Sequence, residues 1–327
     1  NNSRLFSTPI FSTTLSVFLI PAVSIIFNGI PSKFIWPSTI SLVVPAISVT
    51  MAFSSSNNLF NILLFPTLGL PTITVFIPFF ILGGVPFLVF MSILGLFGFY
   101  ELLKVRESKK KFPLWLKVIA YLMVLGFCLN NVGSIEFTYN FDYRVMALII
   151  FLFLVPIVFI NNNKEYNLND ALFLIGSVLF IGFSFNLIII TRNFDMNYLL
   201  YLLLITTMTD TFALLSGMLV GKHKLCPNIS PNKTIEGAIG GSIMGTIIAS
   251  AFYFTVINSS ISLVFLIFIT CLLTIIGQVG DLVFSSIKRY YDVKDFSNLI
   301  PGHGGILDRF DSLIFVTLAF IIIVGLI

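Results

Sequence analysis

From residue 81 onward, the sequence is a succession of long apolar runs separated by short polar segments. A helix needs roughly 20 apolar residues to cross the hydrocarbon core of a bilayer, and each run is close to that length. The candidate spans are 81–103, 115–131, 143–160, 170–190, 197–220, 237–257, 261–287 and 312–327. Short connections favour antiparallel neighbours. The pattern predicts an all-α fold, a polytopic transmembrane helical bundle with about eight core spans.

The composition excludes a soluble protein. Of the 327 residues, 57% are hydrophobic and only 10% are charged, whereas soluble domains carry charge on about a quarter of their residues. Lipid must therefore be the main solvent of the chain. We expect contact with membrane lipid and no nucleic-acid partner, and the small net charge of +4 is less informative than its distribution.

Residues 1–80 differ from the rest and are interpreted as an atypical apolar N-terminal extension. They contain no acidic residue and only two basic ones, Arg4 and Lys33. Prolines interrupt their apolar runs, which weakens the prediction of membrane helices, so we expect one to three spans. The sequence begins without Met, which is compatible with a fragment, and a cleaved signal peptide fits poorly because the basic charge near the start is weak. Residues 81–327 form the predicted second domain, with its catalytic motifs in 205–311.

Basic residues are concentrated on one side of the predicted bundle. The even-numbered connections hold only Arg144 and Arg192, and the others hold fourteen. These fourteen are Lys104, Arg106, Lys109, Lys110, Lys111, Lys117, Lys164, Lys222, Lys224, Lys233, Lys288, Arg289, Lys294 and Arg309. Cytoplasmic connections of membrane proteins carry an excess of Lys and Arg. The distribution therefore predicts that the lysine-rich connections face the cytoplasm.

Acidic residues inside apolar spans are costly and usually functional. Asp210 lies in the span 197–220, and Asp281 lies in the span 261–287. Asp281, Ser285 and Lys288 follow a spacing of i, i+4, i+7, so they share one helix face. An alternative is that Asp281 pairs with a neighbouring lysine and only fixes helix packing. Asp210 has two open interpretations, a metal ligand or a residue that orients Lys233.

The segment from Ser285 to Asp311 adds a glycine-rich turn and two further carboxylates. Pro301 and the glycines after it interrupt the helix, and Asp308 and Asp311 then share one face of the next helix. Together with Asp281 they form an oxygen-rich pocket that suits Mg²⁺ bound alongside phosphates. Basic side chains that would neutralise phosphate oxygens are also present: Lys288, Arg289, Lys294 and Arg309.

This segment resembles the motif of the phosphatidate cytidylyltransferases. It reads Ser-x-apolar-Lys-Arg from Ser285, then Lys294-Asp295, then Pro301-x-His303-Gly-Gly, then Asp308-Arg309-x-Asp311. A second stretch is similar to the same family: Asp210-Thr-Phe-Ala, Gly221-Lys-His-Lys and Ser230-Pro-Asn-Lys-Thr-Ile-Glu-Gly237. A looser similarity runs from Gly83 to Lys104. The resemblance covers about 81–327.

The resemblance implies roles for individual residues. It implies catalytic roles for Asp281, Lys288, Asp308 and Asp311, with Mg²⁺ held by Asp281, Asp308 and Asp311, Asp210 as a further candidate, and a second cation compatible with the set. The substrate-binding residues it implies are Ser230, Lys233, Glu236, Ser285, Arg289, Lys294, His303 and Arg309. Ser230-Pro231 can also be read as an ordinary helix start. His303 is interpreted as a turn-stabilising or phosphate-contacting donor in preference to a general base.

The activity implied is transfer of CMP from CTP to phosphatidic acid, which yields CDP-diacylglycerol and pyrophosphate in phospholipid biosynthesis. The resemblance also implies a homodimer, and we expect an integral protein of a bacterial plasma membrane with its active site at the cytoplasmic face. An alternative enzyme is a CTP-dependent polyprenol or phytol-type lipid kinase, which would transfer the γ-phosphate. An ion-coupled transporter is a third interpretation, but its charges would be spread near the midplane of several helices.

Overall fold

The computed structural model describes residues 78–129, 143–160, 165–258, 261–299 and 304–324. Its helices are α1 (Gly84–Glu107), α2 (Leu114–Leu129), α3 (Tyr143–Leu154), α4 (Pro156–Ile160), α5 (Leu168–Phe194), α6 (Met196–Val220), α7 (Ile235–Phe252), α8 (Leu263–Tyr290) and α9 (Leu307–Val324). A π-helical turn, Tyr253–Ile257, extends α7. The one to three spans expected in the N-terminal extension lie outside the described residues.

The helices follow the predicted apolar runs. Five helices within the described residues are long and apolar enough to cross a membrane: α1, α5, α6, α8, and α7 together with its π-helical turn. Helix α9 is 18 residues long but begins with three charged side chains. The predicted span 143–160 is divided into α3 and α4 at Pro156, since proline lacks the backbone N–H that a continuous helix uses. The prediction of an all-α polytopic membrane protein is confirmed.

Helix α5 is the most enclosed of the long helices. About two-thirds of its most apolar window, 67%, is buried inside the protein, and α5 packs against α1, α2, α6 and α9. Leu174, Val178, Ile181 and Phe185 have no exposed surface, and they recur every three or four residues along one helix face. The core of the bundle therefore surrounds α5, and of the later helices α6 and α9 pack directly against it.

A small hairpin connects α6 to α7 and was absent from the sequence prediction. Its strands β1 (Lys224–Cys226) and β2 (Ser230–Thr234) are antiparallel. Helix α7 begins only at Ile235, where the Thr234 hydroxyl accepts a hydrogen bond from Gly237 N at 3.1 Å. Reading Ser230-Pro231 as a helix start is therefore wrong, because Thr234 provides the N-cap. Proline is tolerated in β2 because a two-stranded hairpin leaves backbone N–H groups unpaired on its outer edge.

Close helix packing around the last elements depends on glycine. A Cβ atom at Gly241 of α7 would lie 2.5 Å from the Thr209 carbonyl oxygen and 2.7 Å from Ala213 Cβ, both on α6. Between α8 and α9, a Cβ atom at Gly280 would lie 2.6 Å from Phe315 Cβ. Small residues allow helix backbones in membranes to approach closely. These contacts hold α6, α7, α8 and α9 as neighbours and so bring together the segments that carry the acidic residues.

Three hydrogen bonds link the basic segments that the structure describes at one end of the bundle: Lys109 Nζ to Tyr290 O at 2.9 Å, Arg106 Nη2 to Asp170 Oδ1 at 2.7 Å, and Arg289 Nε to Ile229 O at 3.3 Å. The first links the α1–α2 connection to the end of α8, the second links α1 to the start of α5, and the third links α8 to the hairpin. Lys164 lies outside the described residues. The uneven distribution of basic residues in the sequence thus corresponds to one end of the structure.

We expect Gly241→Ala to destabilise the protein, because the added methyl group would overlap α6. Overpacking of this kind costs about 1–3 kcal/mol, and thermal unfolding in detergent should occur at a lower temperature. Gly126→Ala is the matched control, since a Cβ atom at Gly126 meets nothing within 4 Å and alanine favours a helix over glycine. Equal melting temperatures for the two variants would contradict the packing described here.

Candidate active site

Asp281 of α8 faces the hairpin. Asp281 Oδ2 forms an ion pair with Lys233 Nζ of β2, and Asp281 Oδ1 accepts a hydrogen bond from Ser285 Oγ at 3.3 Å. Lys233 and Asp281 keep 31% and 23% of their side-chain surface exposed, so a ligand can reach both. The two paired residues, Lys233 and Asp281, are 48 positions apart in the sequence.

Lys233 is therefore the lysine that pairs with Asp281. The hairpin that carries Lys233 is closed at its base by Glu236, which accepts hydrogen bonds from Lys222 N at 3.0 Å and from His223 N at 3.2 Å. The His223 ring lies 2.6 Å from the same carboxylate. Glu236 thus fixes the hairpin on the first turn of α7, and this places Lys233 over α8.

A second ion pair joins α8 to α9. Lys288 Nζ lies 2.7 Å from Asp308 Oδ1, and their side chains are only 12% and 6% exposed. Asp308 Oδ2 accepts hydrogen bonds from Phe296 N at 3.0 Å and Gly305 N at 2.9 Å. Both carboxylate oxygens of Asp308 are therefore engaged, one by the lysine and one by the backbone of the α8–α9 connection.

Two further carboxylates, Asp311 and Asp210, lie near these pairs. Asp311 is buried on the first turns of α9, where it accepts a hydrogen bond from Ser312 N at 2.7 Å. Asp311 interacts electrostatically with Asp281 and with Asp210 of α6. Asp210 in turn interacts with Asp281 and with Lys233. The arrangement concentrates negative charge between α6, α8 and α9, with Lys233 and Lys288 at its edge.

The remaining predicted substrate residues that the structure describes lie on the hairpin, on α8, on the α8–α9 connection and on α9. Arg289 donates from Nε to Ile229 O and from Nη1 to Val293 O, each at 3.3 Å, so it links the hairpin to the α8–α9 connection. Lys294 is exposed on that connection, Ser230 is half-buried at the start of β2, and Arg309 is half-buried on α9. His303 lies outside the described residues.

Comparison with known proteins identifies the family of this chain. The model of the cytidylyltransferase family matches residues 67–327. The phosphatidate cytidylyltransferase of Staphylococcus haemolyticus (strain JCSC1435) is 37% identical over 242 residues, 74% of this chain and 91% of the relative. The one from Bacillus subtilis (strain 168) is 34% identical over 258 residues, 76% of this chain and 92% of the relative. This chain belongs to the cytidylyltransferase family.

The family match extends beyond the part of the chain that the motifs identified. It begins at residue 67, ahead of the boundary at 81 that the sequence predicted for the catalytic domain. The motif segments at 210–237 and 285–311 both lie within the match. The Lys233–Asp281 ion pair of this cytidylyltransferase also lies within the match, and it joins the first segment to the part of α8 that precedes the second.

The carboxylates of this cytidylyltransferase fit a divalent cation by their chemistry. Mg²⁺ prefers oxygen ligands and is commonly held by one or two carboxylates together with substrate phosphates. Asp281 and Asp311 provide two such groups, and Asp210 provides a third nearby. In the part of the chain that the structure describes, no three His, Cys, Asp or Glu side chains are arranged to hold a metal ion by themselves. A cation here would therefore complete its coordination with oxygens of the substrate or of water.

One residue near the site was missed by sequence reasoning. Glu101 of α1 is fully buried and accepts hydrogen bonds from Ser297 Oγ at 2.6 Å, Ile306 N at 2.8 Å and Leu307 N at 2.9 Å. The available signal was an acidic residue at the end of an apolar run, which is a functional indication in membrane proteins. Its partners are about 200 residues away in the sequence, so spacing alone could not identify them.

We expect Asp281→Asn to lower the turnover of this cytidylyltransferase by about 10²–10³-fold, the range seen when one preorganised electrostatic group is lost. The amide removes a negative charge from the cluster and leaves Lys233 without its partner. The measurement is the rate of cytidylyl transfer by purified protein in detergent. Asp195→Asn is the matched control, because Asp195 is the N-cap of α6 and Asn caps helices equally well. Full activity of Asp281→Asn would contradict a role for this carboxylate.

Proposed function

We propose that the protein transfers CMP from CTP to phosphatidic acid and so forms CDP-diacylglycerol and pyrophosphate. The observation that carries the proposal is the ion pair between Lys233 and Asp281. It brings the motif that contains Lys233 onto α8, beside the Lys288–Asp308 pair and a group of carboxylates, which is the mixture of charges that phosphoryl chemistry requires. The relatives matched over 91–92% of their own length are phosphatidate cytidylyltransferases.

The proposed reaction is an in-line displacement at the α-phosphorus of CTP. A phosphate oxygen of phosphatidic acid forms the new phosphorus–oxygen bond, the bond between the α-phosphorus and the β-phosphate bridging oxygen breaks, and pyrophosphate leaves with that electron pair. The attacking oxygen is already anionic near neutral pH because the second pKa of a phosphomonoester is about 6. No strong general base is then needed, and catalysis depends on positioning and on neutralising charge.

The side chains at the site are suited to that task. Lys288 is held by Asp308 and Lys233 by Asp281, so both ammonium groups have fixed positions before a phosphate arrives. Arg289 is tied to the hairpin. We assign these cations, with Arg309, Lys294 and Ser285, to the phosphate groups of the two substrates. We assign Ser230, at the start of β2, and Glu236, which closes the hairpin, to binding of the nucleotide.

A magnesium ion belongs to the same proposal. Asp281 and Asp311 would hold it together with the triphosphate, with Asp210 as a further ligand, and bound Mg²⁺ would supply neutralisation of the phosphate charge. Asp308 stays a predicted ligand, and in the structure its two oxygens serve Lys288 and the connection backbone. A second cation stays a prediction from the sequence, since no three acidic, His or Cys side chains of the described residues are arranged to hold a metal ion.

The chain is an integral membrane protein, and we propose a bacterial plasma membrane with the site at its cytoplasmic face. The relatives come from bacteria, and the basic connections gather at the end where the site lies, as the positive-inside rule predicts for a cytoplasmic face. This orientation would give the site access to CTP from the cytosol and to phosphatidic acid from the inner leaflet. The homodimer implied by the resemblance is part of the same proposal.

The decisive test follows each phosphate of CTP separately. Purified protein is given phosphatidic acid, Mg²⁺ and CTP labelled either in the α-phosphate or in the γ-phosphate. We expect the α-label in the lipid and the γ-label in pyrophosphate, in equal amounts, because the displacement occurs at the α-phosphorus. Asp281→Asn protein is the control for contaminating activity.

The alternative functions give different outcomes in this assay. A γ-label in the lipid with release of CDP would identify a lipid kinase and overturn the proposal. No lipid label from well-folded protein would also contradict it, and an ion-coupled transporter would then regain support.

A further inference from the structure

Glu101 has an unusual position for an acidic side chain in a membrane helix. It lies near the end of α1, has no exposed surface, and accepts hydrogen bonds from three donors. A buried carboxylate is expensive unless it is fully hydrogen-bonded. All three donors come from one segment, the connection between α8 and the start of α9.

Two of these donors are the amides at the beginning of α9. The first backbone N–H groups of a helix have no acceptor within the helix, and a negative charge near that end is favoured by the helix dipole. Glu101 Oε1 accepts from Ile306 N at 2.8 Å and Glu101 Oε2 accepts from Leu307 N at 2.9 Å. A residue of α1 therefore caps α9.

The third donor lies earlier in the same connection, near its middle. Ser297 Oγ donates to Glu101 Oε1 at 2.6 Å. The backbone amide immediately before Ile306, Gly305 N, donates to Asp308 Oδ2 at 2.9 Å. Three consecutive amides, 305, 306 and 307, are thus held by two carboxylates that approach from different helices.

A glycine at position 305 leaves room for the Glu101 carboxylate beside these amides. A Cβ atom at Gly305 would lie 2.6 Å from Glu101 Oε1 and 2.7 Å from Glu101 Oε2. Real Cβ atoms do not approach that closely, so any side chain at 305 would displace the carboxylate. The glycine and the glutamate are therefore parts of one arrangement.

We propose that Glu101 is a positioning residue for the reaction. By binding the connection at Ser297 and at the start of α9, it sets where α9 begins and so holds Asp308 against Lys288 and Asp311 near the carboxylates of α6 and α8. The inference rests on the proposed function. Glu101 has no role in contacting substrate here, since it acts through the backbone of the connection.

Replacing the carboxylate by an amide tests this role with little change in shape. In Glu101→Gln the amide nitrogen would face a backbone N–H or the Ser297 hydroxyl, so at least one donor loses its acceptor. A displacement of about 1 Å at reacting groups lowers rates by about 10²-fold. We expect kcat to fall by about 10–100-fold while KM for CTP and for phosphatidic acid changes by less than about threefold.

The matched control is Glu107→Gln on the same helix. Glu107 pairs with Lys117 at 3.0 Å and accepts from Phe112 N at 3.1 Å, away from the α8–α9 connection. Its amide variant should keep the wild-type kcat. Gly305→Ala should reproduce the loss in Glu101→Gln, and the double variant should be no slower than the slower single variant because both changes remove the same contact.

A spectroscopic measurement separates positioning from general destabilisation. A nitroxide is attached at Leu299→Cys, an exposed position in the connection, in protein whose Cys226 and Cys271 are replaced by serine. We expect faster label motion in Glu101→Gln than in wild type and no change of label motion in Glu107→Gln. The thermal unfolding temperatures of both variants should stay close to that of the wild type.

The outcomes distinguish the inference from the function on which it rests. Wild-type protein without cytidylyl transfer would overturn the proposed function. An active wild type with Glu101→Gln matching Glu107→Gln in kcat would overturn the inference alone, even if the label became more mobile. A lowered kcat with an unchanged label would also overturn it, because the connection would then not be what Glu101 holds.

Discussion

The ion pair between Lys288 and Asp308 connects the last two helices at the point where the connection between them returns to the bundle. Both side chains are almost fully enclosed, and charges in such surroundings are stable only when paired and hydrogen-bonded. Asp308 therefore also binds two amides of the connection. Because this pair fixes α9 against α8, it also determines where Asp311 lies relative to Asp281.

The same requirement for partners explains the other polar contacts of the site. Lys233 reaches Asp281 from the hairpin, Glu236 closes that hairpin, and Glu101 satisfies the start of α9. Each charged group near lipid depth among these residues has an opposite charge or a set of backbone donors. Asp210 and Asp311 form no ion pair shorter than 4 Å among the described residues, and the proposed cation would compensate their charge.

Local features of the site were predictable from the sequence, and non-local ones were not. The apolar runs indicated the helices because span length depends only on composition over about 20 residues. The shared face of Asp281 and Ser285 followed from helical spacing, and a hydrogen bond joins them. The hairpin escaped prediction because its strands of three and five residues have no alternating apolar pattern. The Lys233–Asp281 pair and the contacts of Glu101 depend on how distant segments pack, which no local pattern encodes.

The contact between α1 and the start of α9 has a consequence for how the protein is made. Helix α1 leaves the ribosome before α9 does, so Glu101 enters the bilayer before its backbone donors exist. A nascent chain that ends before residue 306 lacks both amides that bind the carboxylate oxygens of Glu101. Docking of α9 removes that defect, so this side of the site is assembled only after α9 has been made.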